Sequence, residues 1–229
     1  MGHVVHLYFS PPWTGKSITL DDRQRHHLEV LRHQEGDRVT YTDGEGTFGQ
    51  GLRIGNSVER GTEEFRILDR AGLVLAVAPP PERERQRFLV EKLAELGVDR
   101  LMWLRCRYGE GRPATRASEW AQTALEQSRG DRLMLVDSIL TPAGDLVGWA
   151  ADSSGVATRP AEVFSGGSSP PGSLTLLIGP AGGWAPTDLD PGCRRFSMGE
   201  RILRTETAAV VAVALALQAL RSARTSHPE

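Results

Sequence analysis

LTLLIGPAGGWAPTDLDPGCRRFSMGERILRTETAAVVAVALAL, residues Leu174 to Leu217, contains two short runs that each stop at glycine. The first, Leu174 to Ile178, ends at Gly179-Pro180-Ala181-Gly182-Gly183, and the second, Arg195 to Met198, ends at Gly199. Ile202-Leu203-Arg204-Thr205-Glu206-Thr207 then leads into an Ala/Val/Leu stretch. Short apolar runs bounded by Gly and Pro suit buried parallel strands. Ligands of open α/β sheets bind at the C-terminal ends of such strands. Two glycine-bearing strand ends side by side would make one pocket floored by backbone N–H and C=O groups. Ala208 to Leu217 falls short of the roughly 20 residues a membrane span needs, and reads as a helix buried on most sides.

Upstream, strands and helices alternate. Leu73 to Ala78 reads as a strand closed by Pro79-Pro80-Pro81. A helix over Arg83 to Leu96 places Phe88, Leu89, Leu93 and Leu96 at helical spacing, with Gly97 as its stop. Arg100 to Leu104 is the next strand. A second helix starts near Pro113 and Thr115 and runs to about Arg129, with Trp120, Ala124 and Leu125 inward. Leu133 to Ile139 reads as a strand, and Thr141-Pro142 as the start of a helix to about Ala151. Asp152 to Ser173 is Ser/Gly/Pro-rich and reads as partly irregular, with room for a strand over Ala161 to Phe164. The alternation predicts a parallel α/β domain over 71–229.

Residues 1–70 differ in texture. Val4 to Phe9, Arg38 to Thr42 and Phe65 to Leu68 read as strands. Asp21 is an N-cap for a short helix through Leu31, with Leu28 and Leu31 on one face. This predicts a compact β-barrel-like module. Gly44-Glu45-Gly46-Thr47-Phe48-Gly49 matches G-x-G-x-x-G, but no helix start follows to present N–H groups to a pyrophosphate, so it reads as a turn.

A net charge of −2 announces no global basic field. Cys106 and Cys193, far apart and in no CxxC pattern, argue against zinc or a disulfide framework and fit a reducing cytoplasm. The first residues lack the features of a signal peptide. All six histidines lie at or before His33 or at His227, which disfavours a Ser-His-Asp or His-ligated metal centre in the glycine-loop region. The basic cluster Arg23, Arg25, His26, His27, Arg32, His33 and Arg38 reads equally as a solvated helix face or as phosphate contacts.

The segments Glu91 to Val98 (EKLAELGV), Glu126-Gln127-Ser128, Leu177 to Gly183 (LIGPAGG) and Met198 to Ala208 (MGERILRTETA) come in the order and spacing of one family. The chain resembles the ribosomal RNA small subunit methyltransferase E family of the SPOUT superfamily over most of its length. The early His26-His27-Leu28 and Gly36-Asp37 positions are included. The resemblance implies a PUA-like barrel over 1–70 and a SPOUT parallel α/β domain over 71–229 with a C-terminal trefoil knot. It implies S-adenosyl-L-methionine as cofactor, methylation of N3 of a uridine in 16S ribosomal RNA within the small ribosomal subunit, and a cytoplasmic homodimer without metal or membrane association.

Carried onto this chain, the resemblance puts cofactor contacts at Leu177, Ile178, Gly179, Gly182, Gly183, Met198, Gly199, Ile202, Leu203 and Thr207. Arg204 is the candidate to stabilise negative charge on the acceptor base, with Glu206 orienting it or accepting the proton. Thr205 reads as the N-cap of the final helix. Arg23, Arg25, Arg32, Arg129 and Arg201 are candidate RNA contacts. The chain departs from the family pattern at Ala181, where the family carries Glu. Asp188 stands in for a following acid, Arg129-Gly130 reverses the usual order, and no Asn-Pro or His-Pro precedes Ser165. Two other readings follow from these departures: a SPOUT methyltransferase acting on another RNA position, and an RNA-binding homologue without turnover.

Overall fold

The computed structural model describes residues 4–68, 70–156 and 173–225 of the 229-residue chain. The expected strand at Ala161–Phe164 lies outside them. The chain divides into two compact units, Met1–Leu68 with Gln122–Leu133, and Asp69–Ala121 with Met134–Glu229.

The first unit carries β1 (Val5–Tyr8), β2 (Ser17–Thr19), α1 (Asp22–Val30), β3 (Arg38–Thr42), β4 (Thr47–Ile54) and β5 (Ser57–Phe65). The strands form one sheet in the order β1-β3-β4-β5-β2, parallel between β1 and β3 and antiparallel elsewhere. Val5, Leu7, Phe9, Ile18, Leu20, Leu28, Val39, Tyr41 and Val58 make its core. Asp21 caps α1 through a capping box with Gln24, whose amide also donates to the Tyr8 carbonyl at 2.7 Å. Leu28 is buried as expected, but Leu31 is 49% exposed because the helix has ended before it. The G-x-G-x-x-G stretch leads into β4, a strand, in keeping with a turn.

β5 ends at Phe65, where a strand was expected to begin. Its residues are mostly exposed, four of the nine are charged, and Val58 is buried. An antiparallel strand with one face in water needs little apolar signal, so its sequence conceals it. His6 is buried: Nε2 donates to the Gly130 carbonyl at 2.9 Å, and Nδ1 lies 2.9 Å from the Thr40 hydroxyl.

The second unit holds a six-stranded sheet, β6 (Gly72–Val77), β7 (Arg100–Arg105), β8 (Leu135–Pro142), β9 (Trp149–Val156), β10 (Ser173–Ile178) and β11 (Arg194–Phe196). The order is β11-β9-β10-β6-β7-β8, and every pairing is parallel. Helices α2 (Arg83–Leu96) and α4 (Thr205–Thr225) belong here, and α4 packs on α2, β10 and β6. Helix α3 (Ala117–Ser128) buries Trp120, Ala124 and Leu125 as its spacing predicts. In α2, Leu89 and Leu93 are inward, while Phe88 is 45% exposed and Val90 takes the buried place instead.

The helix expected over Thr141 to Ala151 is absent. β8 runs on to Pro142, a single 3-10 turn covers Ala143–Asp145, and β9 begins at Trp149. Gly144 and Gly148 within that window each cost a helix about 1 kcal/mol. β9 runs on to Val156, into the stretch read as partly irregular, and the remainder of that stretch, 157–172, lies outside the described residues. The β9 sequence, WAADSSGV, has weak strand propensity, so pairing with β10 and β11 on its two sides sets its conformation.

Candidate active site

β9, β10 and β11 are adjacent and parallel, so their C-terminal ends lie together. A cavity of about 400 Å³ sits there, walled by the loop from Gly179 to Trp184, the loop from Ser197 to Leu203, the start of α4, and Ala151-Asp152-Ser153. The two glycine loops of the sequence reading therefore meet. Gly183 and Gly199 hold φ values of +77° and +126°, where a side chain is strained. At Gly179 the constraint is space: a Cβ would lie 2.9 Å from Cε2 of Trp184. The Trp184 ring is held by its Nε1, which donates to the Ala151 carbonyl at 2.8 Å. The Thr205 hydroxyl donates to the Gly179 carbonyl at 3.2 Å and ties α4 to the end of β10. Thr205 is thus the first helical residue rather than an N-cap whose hydroxyl accepts a backbone N–H.

Ile178, Gly179, Gly182, Gly183, Met198, Gly199, Ile202, Leu203 and Arg201 all line this cavity. Leu177 and Thr207 do not. Leu177 is fully buried among Ala76, Ala78, Leu104, Ala143 and Ala150, because successive side chains of β10 point to opposite faces. Thr207 sits exposed on α4.

A second cavity of about 590 Å³ shares Pro180, Ala181, Gly182 and Thr205 with the first. Arg204 and Glu206 line it, with Arg85, Arg107, Tyr108 and Glu110. Glu206 is buried, and its carboxylate lies 3.8 Å from Nε of Arg85. Ala181 faces both cavities with a methyl group where an acid was expected. Asp188 lines neither; it is buried and accepts backbone N–H bonds from Arg107 at 3.0 Å and Ala185 at 2.9 Å.

Sequence reasoning missed Asp152, Ser153, Trp184, Arg85, Arg107 and Tyr108. Asp152 and Ser153 were hidden by the weak strand signal of β9. Burial acts to raise the Asp152 carboxyl, but hydrogen bonds from the Ser154 N–H and hydroxyl and the Arg195 guanidinium outweigh it and hold the group below the usual aspartate range.

Of the other arginines, Arg23 pairs with Glu126 at 2.8 Å and Arg25 with Asp22. Arg129 adopts φ +54° and donates to the Val4 carbonyl at 3.2 Å, and Arg32 also has φ +54°. Among the described residues, no group of three or more His, Cys, Asp or Glu could hold a metal ion, and no helix is long and apolar enough to cross a membrane.

The family model described as an RNA methyltransferase domain matches residues 70–217, well over half of the chain. The chain belongs to the RNA methyltransferase family. Among curated proteins, it is similar to the ribosomal RNA small subunit methyltransferase E of Mycobacterium tuberculosis. The two are 29% identical over 231 residues, covering 88% of this chain and 86% of the relative. Among solved structures, a probable rRNA-methyltransferase from Porphyromonas gingivalis superposes with TM-score 0.76 at 26% identity, covering 96% of this chain and 100% of that one. The ribosomal RNA small subunit methyltransferase E of Neisseria gonorrhoeae, solved with bound S-adenosyl methionine, shares the fold with TM-score 0.77 at 22% identity, covering 93% and 96%. Both cavities are formed by residues within the span that the family model matches.

Proposed function

We propose that the chain transfers a methyl group from S-adenosyl-L-methionine to N3 of a uridine in 16S ribosomal RNA. The observation that carries this reading is the joining of the two glycine loops around one cavity, with a second cavity holding Arg204 across the shared Pro180–Gly182 wall. The first cavity suits the cofactor in size, since small-molecule sites span about 300–1,000 Å³. Its lining also suits: backbone edges for adenine and ribose, and Ile178, Met198, Ile202 and Leu203 as apolar walls. The cofactor supplies an electrophilic methyl carbon on a sulfonium.

The chain's own residues supply position and charge. The acceptor imide must lose its proton, and its negative charge spreads to the flanking carbonyl oxygens. Arg204, in the neighbouring cavity, stabilises that charge by preorganised electrostatics. Glu206, whose carboxylate lies 3.8 Å from Arg85, holds the Arg85 guanidinium in the same cavity and is placed there to accept the proton. Arg23, Arg25, Arg32, Arg129 and Arg201 contact the RNA, the first two by exchanging weak surface pairs for phosphate.

In the same reading, residues 1–70 form a PUA-like barrel and 71–229 a SPOUT domain. The place of β10 between β9 and β6 and the packing of α4 on α2 are compatible with the trefoil knot of this reading. The protein works as a cytoplasmic homodimer on the small ribosomal subunit. Ala181 favours a second reading, methylation at a different RNA position.

A methylation assay on purified small subunits and on naked ribosomal RNA, with the product mapped by mass spectrometry, tests the proposal. A 3-methyluridine in 16S RNA is expected. A methyl group at another atom selects the second reading, and no transfer to either substrate rejects both.

A further inference from the structure

The second cavity contains more than Arg204 and Glu206. Three arginines, Arg85, Arg107 and Arg204, line it against two glutamates, Glu110 and Glu206. Arg85 is engaged with Glu206 and with Glu82 at 3.4 Å. Arg107 and Arg204 have no carboxylate partner among the described residues. Unpaired guanidinium groups in a concave site favour an anionic ligand, and the planar fork matches phosphate.

Tyr108 adds a flat apolar surface. It is 54% exposed and lines this cavity. The turn that carries it is fixed at two points. The Gly109 N–H donates to the Cys106 carbonyl at 3.1 Å, and the Arg107 N–H donates to Asp188 at 3.0 Å. The base of the ring also lies against the wall shared with the first cavity, since a Cβ on Gly182 would sit 3.1 Å from the Cβ of Tyr108. A planar group stacked on Tyr108 is thereby set beside the glycine loop.

We infer that this cavity receives an unstacked nucleotide of the RNA substrate, its base on the Tyr108 ring and its phosphate at Arg107. The inference rests on the methyltransferase reading above and adds substrate-binding residues from the loop after β7. Single-stranded RNA recognition works through such stacking of splayed bases on aromatic rings.

The test uses the full chain, a uridine-containing single-stranded RNA oligonucleotide followed by fluorescence anisotropy, and S-adenosylmethionine followed by calorimetry. Tyr108→Ala should weaken oligonucleotide binding by roughly five- to 150-fold. Tyr108→Phe should restore it, and both variants should keep the wild-type cofactor affinity and melting midpoint. Arg107→Gln should lower the slope of log affinity against log salt by about 0.7, the share of one phosphate contact on a single strand. Wild-type oligonucleotide affinity in a folded Tyr108→Ala protein overturns the inference, as does a parallel loss of cofactor affinity, which would make Tyr108 a wall of the first cavity. A wild-type chain that takes up no S-adenosylmethionine yet binds the oligonucleotide through Tyr108 rejects the methyltransferase reading and leaves the nucleotide pocket standing.

Discussion

Gly179→Ala probes the wall of the first cavity directly. The added Cβ would lie 2.9, 3.1 and 3.3 Å from three atoms of the Trp184 indole. Ordinary carbon–carbon separation is about 3.5 Å, so the ring must retreat by about 0.6 Å. These are atoms in the middle of a rigid ring, not the end of a flexible chain, so rotation gives no relief. The retreat strains the 2.8 Å bond from Trp184 Nε1 to the Ala151 carbonyl, worth about 1 kcal/mol. Overpacking of this kind costs about 1–3 kcal/mol in total. In a chain of this size each kcal/mol lowers the midpoint by roughly 2–4 °C. If half of that cost is specific to the cofactor-bound state, affinity for S-adenosylmethionine drops by roughly two- to tenfold. Differential scanning calorimetry and isothermal titration read the two effects. A variant with the wild-type midpoint and the wild-type affinity would refute the argument, because Trp184 would then not be a fixed wall.

Leu177→Ala should cost about 2–5 kcal/mol, as deletion of a fully buried leucine does, and denaturant unfolding measures it; a cost below 1 kcal/mol would place Leu177 outside the core. Arg204→Ala should cut turnover while leaving cofactor affinity near wild type, since Arg204 lines the second cavity and not the first; a collapse of affinity in titration would make it a cofactor or structural residue. The depressed Asp152 carboxyl contributes stability that is complete above the ordinary aspartate value of about 3.9 and is lost as pH falls through its lower folded value. The stability gap between wild type and Asp152→Asn should therefore shrink in acid, and a gap constant with pH would show that the carboxylate charge contributes nothing.

The parts of the fold that the sequence disclosed are those whose local pattern and tertiary role agree. β6 and β10 are apolar on both faces because they are central strands of a parallel sheet, and their runs stand out. The glycine loops were legible because Gly and Pro mark a chain reversal. β9 was not legible, since its small and polar residues form a strand through their neighbours on either side. The place of Leu177 was lost for a related reason: a strand buried on both faces shows no alternation, so the sequence does not say which of Leu177 and Ile178 faces the cavity. Arg85, Arg107 and Tyr108 come from segments some 70 to 120 positions before the residues they join around the second cavity, roughly the span of a small domain. No local signal announces such a meeting.

The first unit's inclusion of Gln122–Leu133 bears on how the protein emerges from the ribosome that makes it. His6 finds its acceptor at Gly130, the Tyr8 N–H finds Glu126, and the Thr42 hydroxyl and the Gly46 N–H both donate to the Asp131 carbonyl. A nascent chain released only as far as Leu68 lacks all of these partners. Its amino-terminal sheet has all five strands but must wait for these partners while some sixty further residues are polymerised, and a fragment cut at the linear boundary would have the same groups left open.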